Sequence, residues 1–270
     1  MGVAVISVQA VLAAIRLRIC VRLLGHELPI RSAWVSCQYA GFFSHTPISF
    51  LGGDAMRVWH LTTSGVSLTD SAKAVLVDRA LGFMGMMLIV LVITPPLLGA
   101  IRDPAMWAGY LLLVAVGLLA AAAFVLLGRF RAPRVWTGYL RWVAEFTTAS
   151  RHLTSSASDA SKAFALAVVV NLGNIVAIWG IGCAYGFELG FREVAVAAPV
   201  VFLISMIPIS VAGWGLREGA FVVALGLFQI PEGTSLAVSV TFGIALLLAY
   251  CPAPVILLLA RRKRRGGATT

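Results

Sequence analysis

An all-α, polytopic transmembrane helix bundle with two re-entrant or broken elements is predicted by three features of the sequence. Hydrophobic residues make up 60% of the 270-residue chain and charged residues 12%, with a mean hydropathy of +0.95. A soluble domain of this length could not cover so much apolar surface. Apolar runs of roughly 20 residues alternate with short polar links, as helices crossing a bilayer require, and the strand-length alternation of a barrel is missing. Finally, Pro47-Ile48-Ser49-Phe50-Leu51-Gly52-Gly53-Asp54-Ala55-Met56-Arg57 is nearly repeated as Pro208-Ile209-Ser210-Val211-Ala212-Gly213-Trp214-Gly215-Leu216-Arg217-Glu218. Both stretches interrupt apolar segments with helix breakers and opposite charges.

Taken in order, residues 1–24 form the first span. The charges of Arg16, Arg18 and Arg22 follow the apolar run instead of preceding it, so this is a membrane helix with a basic collar and not a secretory signal. Residues 32–53 are expected to form the first re-entrant element, stopping at Pro47 and opening into Gly52-Gly53, with 58–69 as a polar loop. Asp70 is placed to cap a span over 72–98, with Asp78-Arg79 in its first turns and Pro95-Pro96 closing it. A span over 106–127 follows. In 134–150, Trp136, Leu140, Val143 and Phe146 recur at helical spacing and predict an interfacial amphipathic helix. Residues 163–185 span again, with Asn171 and Asn174 placed to link helices. The second re-entrant element covers 194–230, with Gly215 and Gly219 spaced as GxxxG for close packing. The last span, 234–260, meets Arg261-Arg262-Lys263-Arg264-Arg265.

With that basic tail in the cytoplasm and the spans counted alternately, only Arg102, Arg192 and Arg217 of the 21 Lys and Arg lie outside. The positive-inside rule therefore predicts a multi-pass inner or plasma membrane protein with a cytoplasmic C-terminus. The first break is then entered from the cytoplasm and the second from outside, the arrangement an inverted repeat produces. The formal net charge of +10 sits at the ends of apolar runs, so anionic lipid, not nucleic acid, is the expected partner. Cys20, Cys37, Cys183 and Cys251 lie far apart, without metal-ligand spacing or a disulfide framework. Neither a metal nor a cofactor is expected.

Charge inside a bilayer is costly and marks function or a structural ion pair. Asp54 and Arg57, three apart, would share a helical turn. Asp78 and Arg79 adjoin in a span, and Arg217 and Glu218 follow the second break. For Asp78 and Arg79 a structural pair and a functional one stand as equal readings. For Asp54, Arg57, Arg217 and Glu218, function is favoured because their charge coincides with the breaks at Pro47, Gly52, Gly53, Pro208, Gly213 and Gly215. Such breaks free backbone N–H groups to line a polar cavity, where a lipid phosphate fits beside Arg. His45, next to the first break, reads as a hydrogen-bonded structural histidine. No P-loop, dinucleotide fingerprint or nucleophile elbow occurs, so no catalytic residue is assigned.

Three motifs in order, Leu51-Gly52-Gly53-Asp54-Ala55-Met56-Arg57, then Val77-Asp78-Arg79-Ala80-Leu81-Gly82, then Ile207-Pro208-Ile209-Ser210 with Gly213-Trp214-Gly215-Leu216-Arg217-Glu218, resemble the flippase-like transmembrane domain of the lysylphosphatidylglycerol synthase/flippase family. The resemblance implies a helical bundle whose two re-entrant elements enclose a polar cavity, and an association with moving aminoacylated phospholipid between leaflets. Relative to that family, an upstream first helix and a soluble aminoacyl-transfer domain are expected to be missing, so lysyl-lipid synthesis is not implied. Stand-alone relatives occur near lipid, glycan and hopanoid pathways, which leaves the cargo open. The leading expectation is a flippase or translocase for an anionic or aminoacylated phospholipid. The alternatives are an accessory subunit with partner proteins in a lipid or polysaccharide assembly pathway, or a headgroup transferase using Asp54 or Glu218 as base.

Overall fold

The computed structural model describes residues 2–46, 52–97, 104–127, 156–205, 215–253 and 255–256. Pro47, Pro208, Gly213 and the expected interfacial helix over 134–150 lie outside them. The described residues form helices without strands: α1 (Gly2–Leu23), α2 (Ile30–His45), α3 (Gly52–Thr63), α4 (Leu68–Leu97), α5 (Pro104–Leu127), α6 (Ala157–Ala184), α7 (Phe191–Ser205), α8 (Leu216–Gly226) and α9 (Glu232–Ala249). Four of these are long and apolar enough to cross a membrane: α1, α4 over Leu68–Ile93, α6 and α9. At 1.5 Å per residue, α2 and α7 reach only about 22–24 Å and α3 and α8 about 16–18 Å, short of the ~30 Å hydrocarbon core. α2 packs against α3, and α7 against α8. The two elements predicted as broken are thus two pairs of short helices.

The sequence reading needs three corrections. Residues 58–63 continue helix α3 and are not loop; only 64–67 form the turn into α4. Their polar side chains pair across helices, as with Thr62 and Ser71, whose hydroxyls lie 3.5 Å apart. The cap of α4 is Ser67, whose hydroxyl accepts from the Asp70 amide at 3.1 Å. Asp70, in the first turn, bonds back to Ser67 and holds His26 at 2.9 Å and Lys73 at 3.2 Å. α9 runs over Glu232–Ala249 with Tyr250 as its C-cap; helical geometry resumes at 252–253 and 255–256, and the rest of the expected span to 260 lies outside the described residues. Gly215 and Gly219 make no close helix contact among the described residues: Gly215 caps α8, and a side chain at Gly219 would meet none of those residues within 4 Å.

The helix order long, short, short, long occurs twice, as α1–α4 and α6–α9. Exchanging the halves maps their packing onto itself. α1 packs on α6, and each further contact has a counterpart: α1·α2 with α6·α7, α3·α4 with α8·α9, α1·α4 with α6·α9, α4·α6 with α9·α1, and α4·α7 with α9·α2. α5 stands outside the scheme, against α4.

The turns repeat bond by bond. His26 N–H to Val21 O is matched by Phe187 N–H to Gly182 O, and Gly25 N–H to Arg22 O by Gly186 N–H to Cys183 O. One shift in numbering carries Gly25-His26-Glu27-Leu28-Pro29-Ile30-Arg31 onto Gly186-Phe187-Glu188-Leu189-Gly190-Phe191-Arg192. Gly25 and Gly186 both have positive φ, 84° and 71°, which favours Gly after a helix. A slightly longer shift carries the α3–α4 turn onto the α8–α9 turn. Val66 N–H to Leu61 O is matched there by Ile230 N–H to Leu225 O, with Gly65 and Gln229 at positive φ.

The main core gathers α1, α6, α7, α8 and α9 around Ile6, Ile178, Val194, Phe221 and Phe242. A second core packs Leu17 and Val21 with Cys37, Leu61 and Val75. Large apolar side chains such as Val92, Leu112, Leu119 and Val223 remain exposed, as on a surface that faces lipid.

Candidate functional site

The site begins with a carboxylate deep in α4. Asp78 lies ten residues past the start of that helix, about 15 Å along it, and is 2% exposed. A charge at that depth requires pairing. Two arginines supply it. Arg16 of α1 donates from Nε to Oδ1 at 2.7 Å and from Nη2 to Oδ2 at 3.1 Å, and Arg57 of α3 donates from Nη1 to Oδ2 at 2.8 Å. The trio joins three helices. Gly82, one turn further along α4, lies beside the Arg16 guanidinium. Its carbonyl accepts from Asn171 Nδ2 of α6 at 3.0 Å, so Asn171 links helices as its sequence position suggested.

Arg79 points elsewhere, because successive helix residues are turned by about 100°. It forms a forked pair with Asp54, the third residue of α3, with bonds of 3.2, 3.0 and 2.9 Å. This pair is almost half exposed, at 48% and 44%. The pairing expected from sequence neighbours is therefore crossed: Asp54 holds Arg79, and Arg57 holds Asp78. Gly53 permits the close seat of α3, since a Cβ there would strike Ser44 Oγ and the Ala40 carbonyl of α2.

The second half carries its own pair at the start of α8. Glu218, again the third residue of its helix, accepts from the Gly215 amide at 2.5 Å, from Arg217 Nη2 at 2.9 Å and from Ser239 of α9 at 3.2 Å. Gly215 adopts φ 84° to bring its amide round. The Arg217 guanidinium lies on Gly243 of α9, where any Cβ would displace it. By the numbering shift of the α3–α4 turn, Gly243 corresponds to Arg79 and Glu218 to Asp54. Each half thus holds a guanidinium against the acid of its short helix, one supplied from the long helix and the other from the short one.

Between the pairs stand His45 and Tyr250. Their rings stack at 6.2 Å with an interplanar angle of 22°. Tyr250 lies flat on α2 at Gly41, where a Cβ would enter its ring. His45 is within electrostatic reach of both Arg79 and Arg217, and Tyr250 of Arg16, Arg57 and Arg79. Arg57 Nε is buried and has no partner among the described residues. Four guanidiniums face three carboxylates across these contacts, so the arrangement suits an anionic guest.

Sequence reasoning picked out Asp54, Arg57, Asp78, Arg79, Arg217 and Glu218, of which the first four meet in one cluster and the last two form the other. It missed Arg16, read as part of a basic collar, and it missed Ser239 and Tyr250. The signal for Arg16 was helical spacing: Gln9, Arg16 and Cys20 fall on one buried stripe of α1 while Arg18 and Arg22 do not.

Comparison with curated proteins and with solved structures returns no match. The family model for the lysylphosphatidylglycerol synthase TM region matches residues 1–253, the stretch that holds every helix and every charged pair described above. The chain is a multi-pass membrane protein that belongs to the lysylphosphatidylglycerol synthase TM-region family.

Proposed function

We propose that this protein moves an anionic or aminoacylated phospholipid between leaflets, in the plasma membrane and with its C-terminus in the cytoplasm. The excess of guanidinium over carboxylate, four against three, in clusters that take in the first turns of two helices too short to span, carries the reading. Such starts leave unpaired backbone N–H groups that favour a phosphate. In this reading the headgroup enters beside the His45–Tyr250 stack while the acyl chains stay in lipid. Arg57 and Arg217 hold the phosphate; Asp54 and Glu218 keep the site from trapping it.

Reconstitution into vesicles carrying labelled anionic and aminoacylated phospholipids tests this through the rate of leaflet exchange. Exchange should exceed that of empty vesicles. Arg57→Ala or Arg217→Ala should slow it by about tenfold or more, the equivalent of one charge-assisted hydrogen bond. Exchange no faster than in empty vesicles for every lipid tried would sink the proposal.

A further inference from the structure

The trio at Asp78 is one negative charge short. Arg16, Arg57 and Asp78 set two guanidiniums against one carboxylate, with side chains 10%, 11% and 3% exposed. The Asp54–Arg79 and Arg217–Glu218 pairs each match one charge with one. The stretches 47–51 and 206–214 carry no ionisable side chain. Surplus charge at such depth is costly, and the fold does not ask for it. Carried by the repeat, Arg16, Arg57 and Asp78 correspond to Ala177, Phe221 and Phe242, three residues of the main apolar core. The second half thus builds the corresponding helix contacts from apolar side chains.

The surplus lies at Arg57. Arg16 bonds both oxygens of Asp78, whereas Arg57 reaches it through Nη1 alone, and its buried Nε has no partner among the described residues. A second orphan stands nearby. Gln38 is 2% exposed, and its Oε1 has no partner among those residues either. It follows Ser36, whose hydroxyl donates to the Arg57 carbonyl at 3.4 Å, and Cys37, which is within electrostatic reach of Arg57. Three and seven residues further on the same helix face, Gly41 and His45 carry the ring of Tyr250, itself within reach of Arg57. Gln38 and Arg57 Nε therefore flank the inner side of the His45–Tyr250 stack. Both atoms are shut off from solvent, so a guest that pairs them relieves the cost of leaving them unmatched.

We infer that the guest is a phospholipid with one negative charge and a hydroxyl-bearing headgroup, its phosphodiester held at Arg57 Nε and its hydroxyl at Gln38. A single anionic charge cancels the surplus of the trio. A hydroxyl both donates and accepts, so it suits the Gln38 amide whichever way that amide is turned. An ammonium could also donate to Gln38, but it would restore the surplus and be repelled by the guanidiniums. Of the two lipid classes in the translocation reading, on which this inference rests, the anionic one fits and the aminoacylated one does not.

Displacement of acyl-labelled phosphatidylglycerol from the full chain in phosphatidylcholine nanodiscs tests this without any lipid being moved. Unlabelled phosphatidylglycerol should compete at least about tenfold better than phosphatidylethanolamine, which has no net charge. The same margin should hold over lysyl-phosphatidylglycerol, which keeps a hydroxyl but is net positive; one charge-assisted hydrogen bond supplies it. Phosphatidylmethanol has the same charge without a headgroup hydroxyl, and should compete about three- to tenfold less well, as the loss of one neutral hydrogen bond predicts. Gln38→Leu should abolish that last difference and leave the charge preference intact. Because it removes an unsatisfied buried atom, the variant should fold, and the wild-type lipid series stands without it. Failure of phosphatidylglycerol to bind, equal competition by any of the three other lipids, or a hydroxyl preference that survives Gln38→Leu would overturn the inference. Glycerophosphoglycerol, the same headgroup without acyl chains, should compete poorly; competition equal to that of the lipid overturns the assignment to a lipid. Selective binding without leaflet exchange removes the transport reading alone, and leaflet exchange without selectivity removes this inference alone.

Discussion

Asp78 is the residue on which the first half depends. Replacing it by Ala leaves Arg16 and Arg57 buried without a counter-charge, and should cost about 3–5 kcal/mol in unfolding measured in detergent or lipid. Arg79→Ala breaks a forked but almost half-exposed pair, and should cost about 1 kcal/mol or less in the same assay. A similar loss for both would mean that Asp78 is not the hub of the trio. The candidate charges were legible because they stand out in an apolar chain; their partners were not. Neighbours in sequence suggested Asp54 with Arg57 and Asp78 with Arg79, while the turn of α4 faces Asp78 and Arg79 in different directions and each takes its partner from α3. Arg16 was hidden because one basic residue among three at a helix end reads as a collar unless its helical face is considered.

At the scale of the element, the breaks were legible from Pro and Gly, but α3 was not. Asp54 pairs with Arg79, Arg57 with Asp78 and Thr62 with Ser71, all on α4, so residues whose polarity alone suggests a loop sit in a helix. The glycines divide by what surrounds them. Gly41→Ala would drive a methyl into the Tyr250 ring and should cost about 1–3 kcal/mol, also releasing the stack on His45. Gly219→Ala meets nothing among the described residues and lies within α8, so it should stabilise by about 0.5–1 kcal/mol. Loss of stability there would restore a packing role for Gly215 and Gly219. The repeat yields another expectation: Gln229 holds φ 62° where its counterpart is Gly65. Gln229→Gly should therefore raise stability by up to about 1–2 kcal/mol in thermal unfolding.

For the whole molecule, the helical membrane class was legible because composition leaves no other way to satisfy the backbone. The extent of the repeat was less so. The Pro-Ile-Ser stretches pointed to it, while the clearer echo, Gly25 to Arg31 in Gly186 to Arg192, lies in turns where function was not sought. If α1, α4, α5, α6 and α9 each cross once, the two turns face opposite sides of the membrane. Glu27 and Glu188 are both exposed at those turns. In a background without the native cysteines, Glu27→Cys and Glu188→Cys should react with a membrane-impermeant maleimide from opposite sides. Labelling from the same side would show that the repeat is not inverted.

The trio of Arg16, Asp78 and Arg57 also sets a timetable for biogenesis. Arg16 leaves the ribosome long before Asp78, and an arginine within a lone span costs roughly 2.5–3.5 kcal/mol at the insertion machinery. The first helix should therefore remain beside the translocon, unreleased into lipid, until the fourth brings its carboxylate. Nascent chains halted before Asp78 should show α1 inserted inefficiently, and chains halted after α4 should show it committed. The birth of the protein is then paced by an ion pair that closes only when about a third of the chain has been made.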